Sequence, residues 1–421
     1  MSSSTNRLVL QIFLPFSAAY LIASIFRSIN SVIGTDIVAE LGASATDLGF
    51  LTSAFFVAAI LTQLPLGIAL DRYGPRRVGI SIMCLTALGG FVFAMAPNVT
   101  ILIIGRAMIG LGVAAGMPTA FKAFSHYFSA DRVPALNGLG LAAGGIGLMA
   151  GTWPVEAALA FTDWRGVVLA VSAMTALMAV MLSLVVPEGE VETKGETLGR
   201  QIAGFKIVFS NADYWRFAPL LMISTGAYAG ITTLWSGPWL RDVAGFDRME
   251  TASTLFLVAA TTVVAMPLGG YIATRLNRIG ISTMNFVIVC ALAFTAVLVA
   301  LFFQWLTVTK LIWLMFGFFG LMPMIAYADI GQKFPKKLTG RVNATLTLLW
   351  MVGAFLVQSG IGAILDLYPR TVSGGYGVEG YQMAIGIIVA VQISALMWYW
   401  LAGVFWQSRI EQENAFAIMP D

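Results

Sequence analysis

The chain has 421 residues, of which 58% are hydrophobic and 11% are charged, and its formal net charge is +3. Soluble domains carry about 25% charged residues, so this composition excludes an ordinary soluble protein and indicates a multi-pass membrane protein. The small net charge gives no reason to expect nucleic-acid binding. Two cysteines, Cys84 and Cys290, lie inside apolar runs and are expected to be free, buried thiols. One histidine and no Cys/His ligand spacing predict no metal site, and no cofactor is expected.

A helix needs about 20 apolar residues to cross a bilayer, and the sequence contains twelve runs of roughly that length. In chain order they are 8–34, 46–70, 78–96, 99–124, 134–160, 165–187, 216–240, 250–274, 280–305, 309–328, 340–366 and 380–405. The first run is too long for a cleavable signal peptide and is interpreted as a retained helix. The predicted fold class is therefore an all-α polytopic membrane protein with 12 transmembrane helices.

A polar segment, 188–215, separates the sixth run from the seventh. Its first part is acidic, and positions 198–209 place Ile202, Phe205 and Phe209 on one face, which predicts a short amphipathic helix on the membrane surface. The chain is thus expected to divide into an N-terminal six-helix bundle (1–187), a cytoplasmic linker (188–215), a C-terminal six-helix bundle (216–405) and a cytoplasmic tail (406–421).

The placement of basic residues predicts the orientation. An even number of helices puts both termini on one side, and most Lys and Arg residues outside the runs fall on that side. Because cytoplasmic loops are enriched in Lys and Arg, both termini are expected in the cytoplasm, with the chain in a bacterial-type inner (plasma) membrane.

The two halves repeat one another at a nearly constant offset. Pro-Leu-Gly at 65–67 recurs at 267–269, Met-Pro at 117–118 recurs at 322–323, and Cys84 corresponds to Cys290. Several matches in the same order indicate an internal duplication, with two parallel six-helix halves.

The loop between the second and third runs carries a dense charge pattern, Gly-x-x-x-Asp-Arg-x-Gly-x-Arg-Arg, over 67–77. This pattern resembles the loop signature of the major facilitator superfamily of secondary transporters, and Arg106 with Gly110 resembles that family's Arg-x-x-x-Gly pattern in helix 4. The resemblance covers the whole chain and implies two pseudo-symmetric six-helix bundles that move by alternating access. It also implies a gating role, closing the cytoplasmic side near the start of helix 11, for Gly67, Asp71, Arg72, Gly74, Arg76 and Arg77. In the second half, Thr274 stands in place of the acid; a purely topogenic charge cluster is the alternative.

Charged residues at bilayer depth are costly and are usually functional. Arg27 lies in the first run, with Asn30 at i+3 on the same face. A guanidinium binds a carboxylate or phosphate through two hydrogen bonds, and some members of the family that move organic anions use a helix 1 arginine in this way. The resemblance therefore implies an anionic substrate. Alternatively, Arg27 pairs with an internal acid such as Glu156, or extends toward the interface.

Three further groups complete the predicted site. Arg106 either contacts the substrate or is a structural or proton-relay residue. Glu156 either carries a coupling proton or pairs with Arg27 or Arg106. The second half offers aromatic and amide groups, and its predicted substrate-binding residues are Tyr228, Tyr327, Trp350 and Gln358.

The predicted function is secondary active transport of a small organic anion, a carboxylate or similar, with proton symport or antiport. The alternative is a multidrug or apolar-solute efflux antiporter, which the absence of a Gly-Pro pair in the fifth run disfavours. The expected partners are a small-molecule substrate, protons and membrane lipids, and the expected state is a monomer. No cluster typical of catalysis and no nucleotide-binding Gly-rich motif is evident, so the chain is not expected to be an enzyme.

Overall fold

The computed structural model describes residues 7–129, 132–188, 206–334, 339–371 and 374–417. Within these ranges every long regular element is a helix; eleven are long and apolar enough to cross a membrane, and a shorter apolar helix, Leu136–Ala150, lies between the fourth and fifth of them. The expected fold class, with twelve membrane helices, is confirmed.

In the first half, α1 is Leu14–Ser28 continued by Asn30–Leu41, α2 is Ala45–Gln63, α3 is Arg72–Ala94, α4 is Val99–Tyr127, α5 is Val133–Ala150 continued by Trp153–Ala158, and α6 is Trp164–Val185. In the second half, α7 is Ala212–Gly230 continued by a π-helical turn, Ile231–Trp235, and by Ser236–Asp242; α8 is Arg248–Arg278 and α9 is Thr283–Phe302. Next, α10 is Thr309–Phe319 continued by a 3-10 turn, Met322–Ile325, and by Ala326–Gln332; α11 is Thr339–Leu365 and α12 is Val378–Ala417.

Polar residues between the apolar runs fix where the helices begin. The Ser44 side chain accepts a hydrogen bond from the Asp47 N–H while the Asp47 carboxylate accepts from the Ser44 N–H, a capping box that starts α2. Asn98, Asp163 and Asp247 cap α4, α6 and α8 through a single hydrogen bond each, in which the side chain accepts from the N–H three residues on. These caps satisfy N–H groups that have no partner within the helix.

The charge-rich loop is a sharp kink rather than an extended connection. The helical stretch Ala45–Ala94 contains both α2 and α3, and only Gly74 departs from helical geometry, at φ 75° and ψ 164°. That backbone conformation has a positive φ, which glycine adopts without a Cβ clash. Gly74, in the first turn of α3, therefore forms the kink itself, and Pro75 follows it.

Helix α1 extends further than the apolar run 8–34 suggests. It continues to Leu41 and ends where Gly42 adopts φ 65°. Its last turns carry the acidic residues Asp36 and Glu40, and both form ion pairs with other helices. As a result Arg27 lies near the middle of the helix.

The expectations for the two cysteines and for the linker helix can be compared with the structure. Cys290 is buried but Cys84 is exposed, so the expectation that both thiols are buried was wrong. Cys84 lies on the same outer face of α3 as Leu88 and Phe91, which are both about half exposed. The predicted amphipathic helix over 198–209 lies mostly outside the described residues; its last four positions, 206–209, are described and are helical.

We call the side of the bundle where α1 ends and α2 begins the distal side; it lies opposite the side where α1 starts. Helices α2 and α11 meet there, with Ser359 donating to Ser53 at 2.7 Å between Oγ atoms. Helix α5 approaches α8, where Gly145 lies against Val263. The two halves therefore contact each other along α2–α11 and α5–α8.

Candidate functional site: an arginine pair inside the bundle

Two arginines lie close together inside the first half. Arg106 is 1% exposed, its Nη1 donates to the carbonyl of Phe26 at 2.6 Å, and its guanidinium lies 5.0 Å from the ring centroid of Phe55. The charge of Arg27 acts on both Arg106 and Tyr228. Within the described ranges, the Arg27 side chain has no hydrogen bond and no ion pair, and Arg106 contacts only a neutral carbonyl and an aromatic ring. The site thus brings together two like charges, and neither has a carboxylate partner among the described residues.

Side chains bind backbone carbonyls of α1 around Arg27. The helix continues through Ile29 with helical dihedral angles, φ −53° and ψ −36°, while Arg106 binds the carbonyl of Phe26 and Ser31 Oγ donates to that of Ser28 at 2.7 Å. Backbone groups at membrane depth need partners within the protein. Arg106 therefore holds the backbone next to Arg27.

Several predicted site residues carry polar atoms that are buried without a hydrogen-bond partner in the described part of the chain. They are Asn30 Oδ1, Arg106 Nε, Tyr327 Oη, Trp350 Nε1 and Gln358 Oε1. Most buried polar groups in proteins are hydrogen-bonded, so each exception needs an explanation, such as water or a ligand. Unsatisfied groups of this kind are expected where a polar solute binds.

From the second half, Tyr228 is the predicted residue that comes nearest to the arginines. Its hydroxyl lies 2.8 Å from Thr262 Oγ1, which itself donates to the Gly317 carbonyl at 2.9 Å. Its ring stacks on Phe316 at a centroid distance of 5.7 Å. The π-helical turn Ile231–Trp235 follows in the same helix, and such turns are frequent at functional sites.

The remaining second-half residues are more distant. Gln358 donates to Thr233 Oγ1 at 3.0 Å, and Trp350 packs edge-to-face on Phe56 at 6.3 Å. Tyr327 lies near Thr347. None of the three contacts either arginine in the described residues.

Two adjacent aromatic residues of α2 lie between Arg106 and the second-half residue Trp350, and neither was predicted as a site residue from the sequence. Phe55 covers Arg106, and Phe56 contacts Trp350 of α11. Thr52, one turn earlier, accepts a hydrogen bond from Asn30 Nδ2 at 3.4 Å. In the sequence these three residues show only that they lie within about one turn of the same helix, and this does not reveal which residues they contact.

Glu156 does not pair with Arg27 or Arg106. Its carboxylate oxygens lie 2.8 and 3.3 Å from Nε and Nη2 of Arg248. The same guanidinium binds Asp36 at 2.7 and 2.9 Å. Glu156 lies in the short last segment of α5, at the distal side where α8 begins, and this places it beside Arg248 and away from the arginine pair. Both of its pairings expected from the sequence were wrong; a role in proton coupling stays a prediction.

Two arginines of the 67–77 pattern bind at the end of α6 and at the first residue of the linker. Arg76 Nη2 donates to the Ser183 carbonyl at 2.6 Å, and Arg77 forms an ion pair with Glu188 at 2.7 Å. The hydrogen bond from Arg77, together with the charges of Arg77 and Arg76, holds the pKa of Glu188 below its usual range. Arg72 lies over the ring of Tyr73 at 5.4 Å. The side chain of Asp71 lies outside the described part, so its gating role stays a prediction.

Further polar contacts join the halves at the distal side. The Asp366 carboxylate accepts hydrogen bonds from the N–H groups of Ala45 at 2.9 Å and Thr46 at 2.7 Å. Partial burial favours a higher pKa for Asp366, but these hydrogen bonds, one from the Thr46 side chain and the charge of Arg370 outweigh it and keep the pKa low. Arg370 also donates to the Ala43 carbonyl at 3.0 Å. These contacts close the distal side.

The family follows from a match over most of the chain. A family model described as Major Facilitator Superfamily matches residues 16–358. The chain belongs to the Major Facilitator Superfamily. It shares 25% identity over 282 residues with the probable L-galactonate transporter of Escherichia coli (strain K12), covering 63% of this chain and 62% of that protein. This chain therefore matches less than two thirds of the length of that relative.

A longer match is found with the putative tartrate transporter of Agrobacterium vitis, 24% identical over 386 residues and covering 84% of this chain and 83% of the relative. Among solved structures, a bacterial homologue of the human lysosomal transporter Spinster, in an inward-facing and unoccupied conformation, superposes with a TM-score of 0.75. It covers 93% of this chain and 96% of that chain at 16% identity. At this identity the likeness shows the fold alone, the superfamily fold expected from the loop signature and the half repeat.

Proposed function

We propose that this chain is a proton-coupled secondary transporter of a small organic anion, bound through a carboxylate or a similar acidic group. The observation that carries the proposal is Arg27, which lies near the middle of α1 and has no hydrogen bond or ion pair among the described residues. An arginine at membrane depth normally finds a counter-charge. The substrate supplies it here.

Electrostatics favours an anion over a neutral solute or a cation. Arg27 and Arg106 are like charges in an environment of low dielectric constant, where their repulsion is only weakly screened. A carboxylate bound to the Arg27 guanidinium through two hydrogen bonds relieves that repulsion. Of the unsatisfied groups, Trp350 Nε1 is a donor, whereas Asn30 Oδ1 and Gln358 Oε1 are acceptors and suit hydroxyl groups of the solute. The names of the relatives, which refer to galactonate and tartrate, support an organic acid.

The movement we propose is a rocking of the two halves, 1–187 and 216–405, about this site, with the termini in the cytoplasm and the linker 188–215 on that side. The distal contacts would break when the site opens outward. The contact predicted between Asp71 and the start of α11 would then close the cytoplasmic side.

A binding screen with matched arginine variants tests the substrate class. Purified protein is heated with carboxylates, phosphate esters, neutral sugars or cationic drugs, and the shift in melting temperature is measured. We expect one or more anions to raise the melting temperature of the parent protein and of Arg275→Gln, an exposed arginine stacked on Tyr271. Arg27→Gln should lose this shift. Stabilisation by cations alone, equal in all variants, would contradict the proposal.

A further inference from the structure

One guanidinium holds two carboxylates from the opposite half at the distal side. Arg248, the first residue of α8, uses Nη1 and Nη2 for Asp36 of α1 and Nε and Nη2 for Glu156 of α5. Asp36 and Glu156 both belong to the first half, and Arg248 to the second. The exposed fraction of the side chain is 26% for Asp36, 11% for Glu156 and 39% for Arg248. The cluster is therefore partly shielded from water and carries one negative charge in excess.

The other charged groups around this cluster are engaged elsewhere. Glu40 pairs with Arg165, and Glu250 pairs with Lys310. The remaining charged groups form hydrogen bonds with neutral groups. Arg241 donates to the Thr35 hydroxyl, and Asp242 accepts from the Tyr376 N–H and the Tyr381 hydroxyl. Asp247 accepts from the Glu250 N–H, and Asp163 accepts from the Gly166 N–H. Among the described residues, Arg248 is thus the cation that the two carboxylates share.

Opening of the distal side must separate these charges. When the halves part, Arg248 leaves with α8, and Asp36 and Glu156 stay side by side on the first half. Two carboxylates at one site repel each other once the cation between them has left, and a bound proton would take the place of Arg248 as their counter-charge. On closure, Arg248 returns and replaces that proton as the counter-charge.

We infer that Asp36 and Glu156 together form a proton-binding site at the distal side, and that Arg248 competes with the proton for it. The inference rests on the proposed alternating-access transport, but not on the nature of the substrate. By reciprocity, if opening promotes proton uptake, protons promote opening. For one proton, the ratio of open to closed molecules rises by at most about tenfold per pH unit of acidification.

Spin labels across the distal side measure this equilibrium without any substrate. In a background with Cys84→Ala and Cys290→Ala, cysteines replace Phe161, between α5 and α6, and Phe303, between α9 and α10, which are 92% and 61% exposed. Distance distributions are recorded by double electron–electron resonance from about pH 8 to about pH 5, the range in which ordinary carboxylates stay ionised. We expect acidification to increase the population with the longer distance.

The variants separate this site from general effects of pH. Glu156→Gln and Asp36→Asn each leave one carboxylate, so the response should disappear above about pH 5. Arg248→Gln removes the competing cation, so the longer distance should be populated already at the high end of the range. Glu40→Gln is the matched control: it breaks an ion pair at the same end of α1 that lies within the first half, and it should retain the parental response.

A parental protein without a pH response, an unchanged response in Glu156→Gln and Asp36→Asn, or an equal loss in Glu40→Gln would overturn the inference. Failure of the anion proposal appears separately, as a missing thermal shift with anions, while the label distances still respond to pH.

Discussion

Removal of the Asp366 carboxylate should weaken the closed distal side. Asp366 follows the end of α11, and its two oxygens accept from the first two N–H groups of α2, in the other half. A hydrogen bond to a charged group contributes roughly 1.5–3 kcal/mol, and the one to Thr46 is exposed to water. Because exposure to water weakens the contact, we take about half of the summed value of the two hydrogen bonds. Asp366→Ala should then destabilise the closed distal side by about 2 kcal/mol.

This loss corresponds to a change of roughly thirtyfold in the ratio of open to closed molecules. The spin-label pair at positions 161 and 303 measures it. Asp47→Asn is the control, because Asp47 caps the same helix through Ser44 without leaving the first half. A shift of less than about threefold in Asp366→Ala, or an equal shift in Asp47→Asn, would refute the reasoning.

The pH dependence of this contact has a definite sign. Because the pKa of Asp366 is held below its usual range, its contribution is complete above the unfolded value of about 3.9 and is lost only as the pH falls through the lower folded value. Between about pH 5 and about pH 8 it should be constant. Any response of the distal side in that interval must come from other groups, for which Asp36 and Glu156 are our candidates.

Two further predictions concern packing and exposure. Gly110→Ala should lower the melting temperature, because a Cβ there would lie 2.5 Å from the Phe55 carbonyl oxygen, and overpacking of this kind costs about 1–3 kcal/mol. Gly138→Ala is the control: no atom lies within 4 Å of its Cβ, and because alanine favours the helix, the melting temperature should not fall. A membrane-soluble maleimide should label the exposed Cys84 and spare the buried Cys290 in the folded protein, and equal labelling of both, measured by peptide mass spectrometry, would be inconsistent with the packing of α3 and α9.

The helices and the loop were predictable because their signals are local. Each apolar run is long enough to cross a bilayer by itself, and Ser44 with Asp47 forms a cap within four residues. Gly74 likewise marks a turn through its own backbone. None of these features needs information from another part of the chain.

The charge pairing was not predictable for the opposite reason. Glu156 was expected beside Arg27 or Arg106 because all are unusual within apolar runs, yet its partner is Arg248, 92 residues away. The partner depends on the extension of α1 past its apolar run and on the depth at which α8 begins. The fully buried position of Arg106 against Phe55 also depends on packing between helices, which no spacing in the sequence reveals.

The central claim is that Arg27 binds an organic anion during transport, and substrate counterflow in proteoliposomes tests it most directly. Vesicles are loaded with the anion that gives the largest thermal shift, and entry of the labelled anion is followed. We predict entry with the parent protein and with Arg275→Gln, strongly reduced entry with Arg27→Lys, which keeps the charge but loses the planar fork, and none with Arg27→Gln. Undiminished entry with Arg27→Gln, in protein of parental melting temperature, would contradict the account.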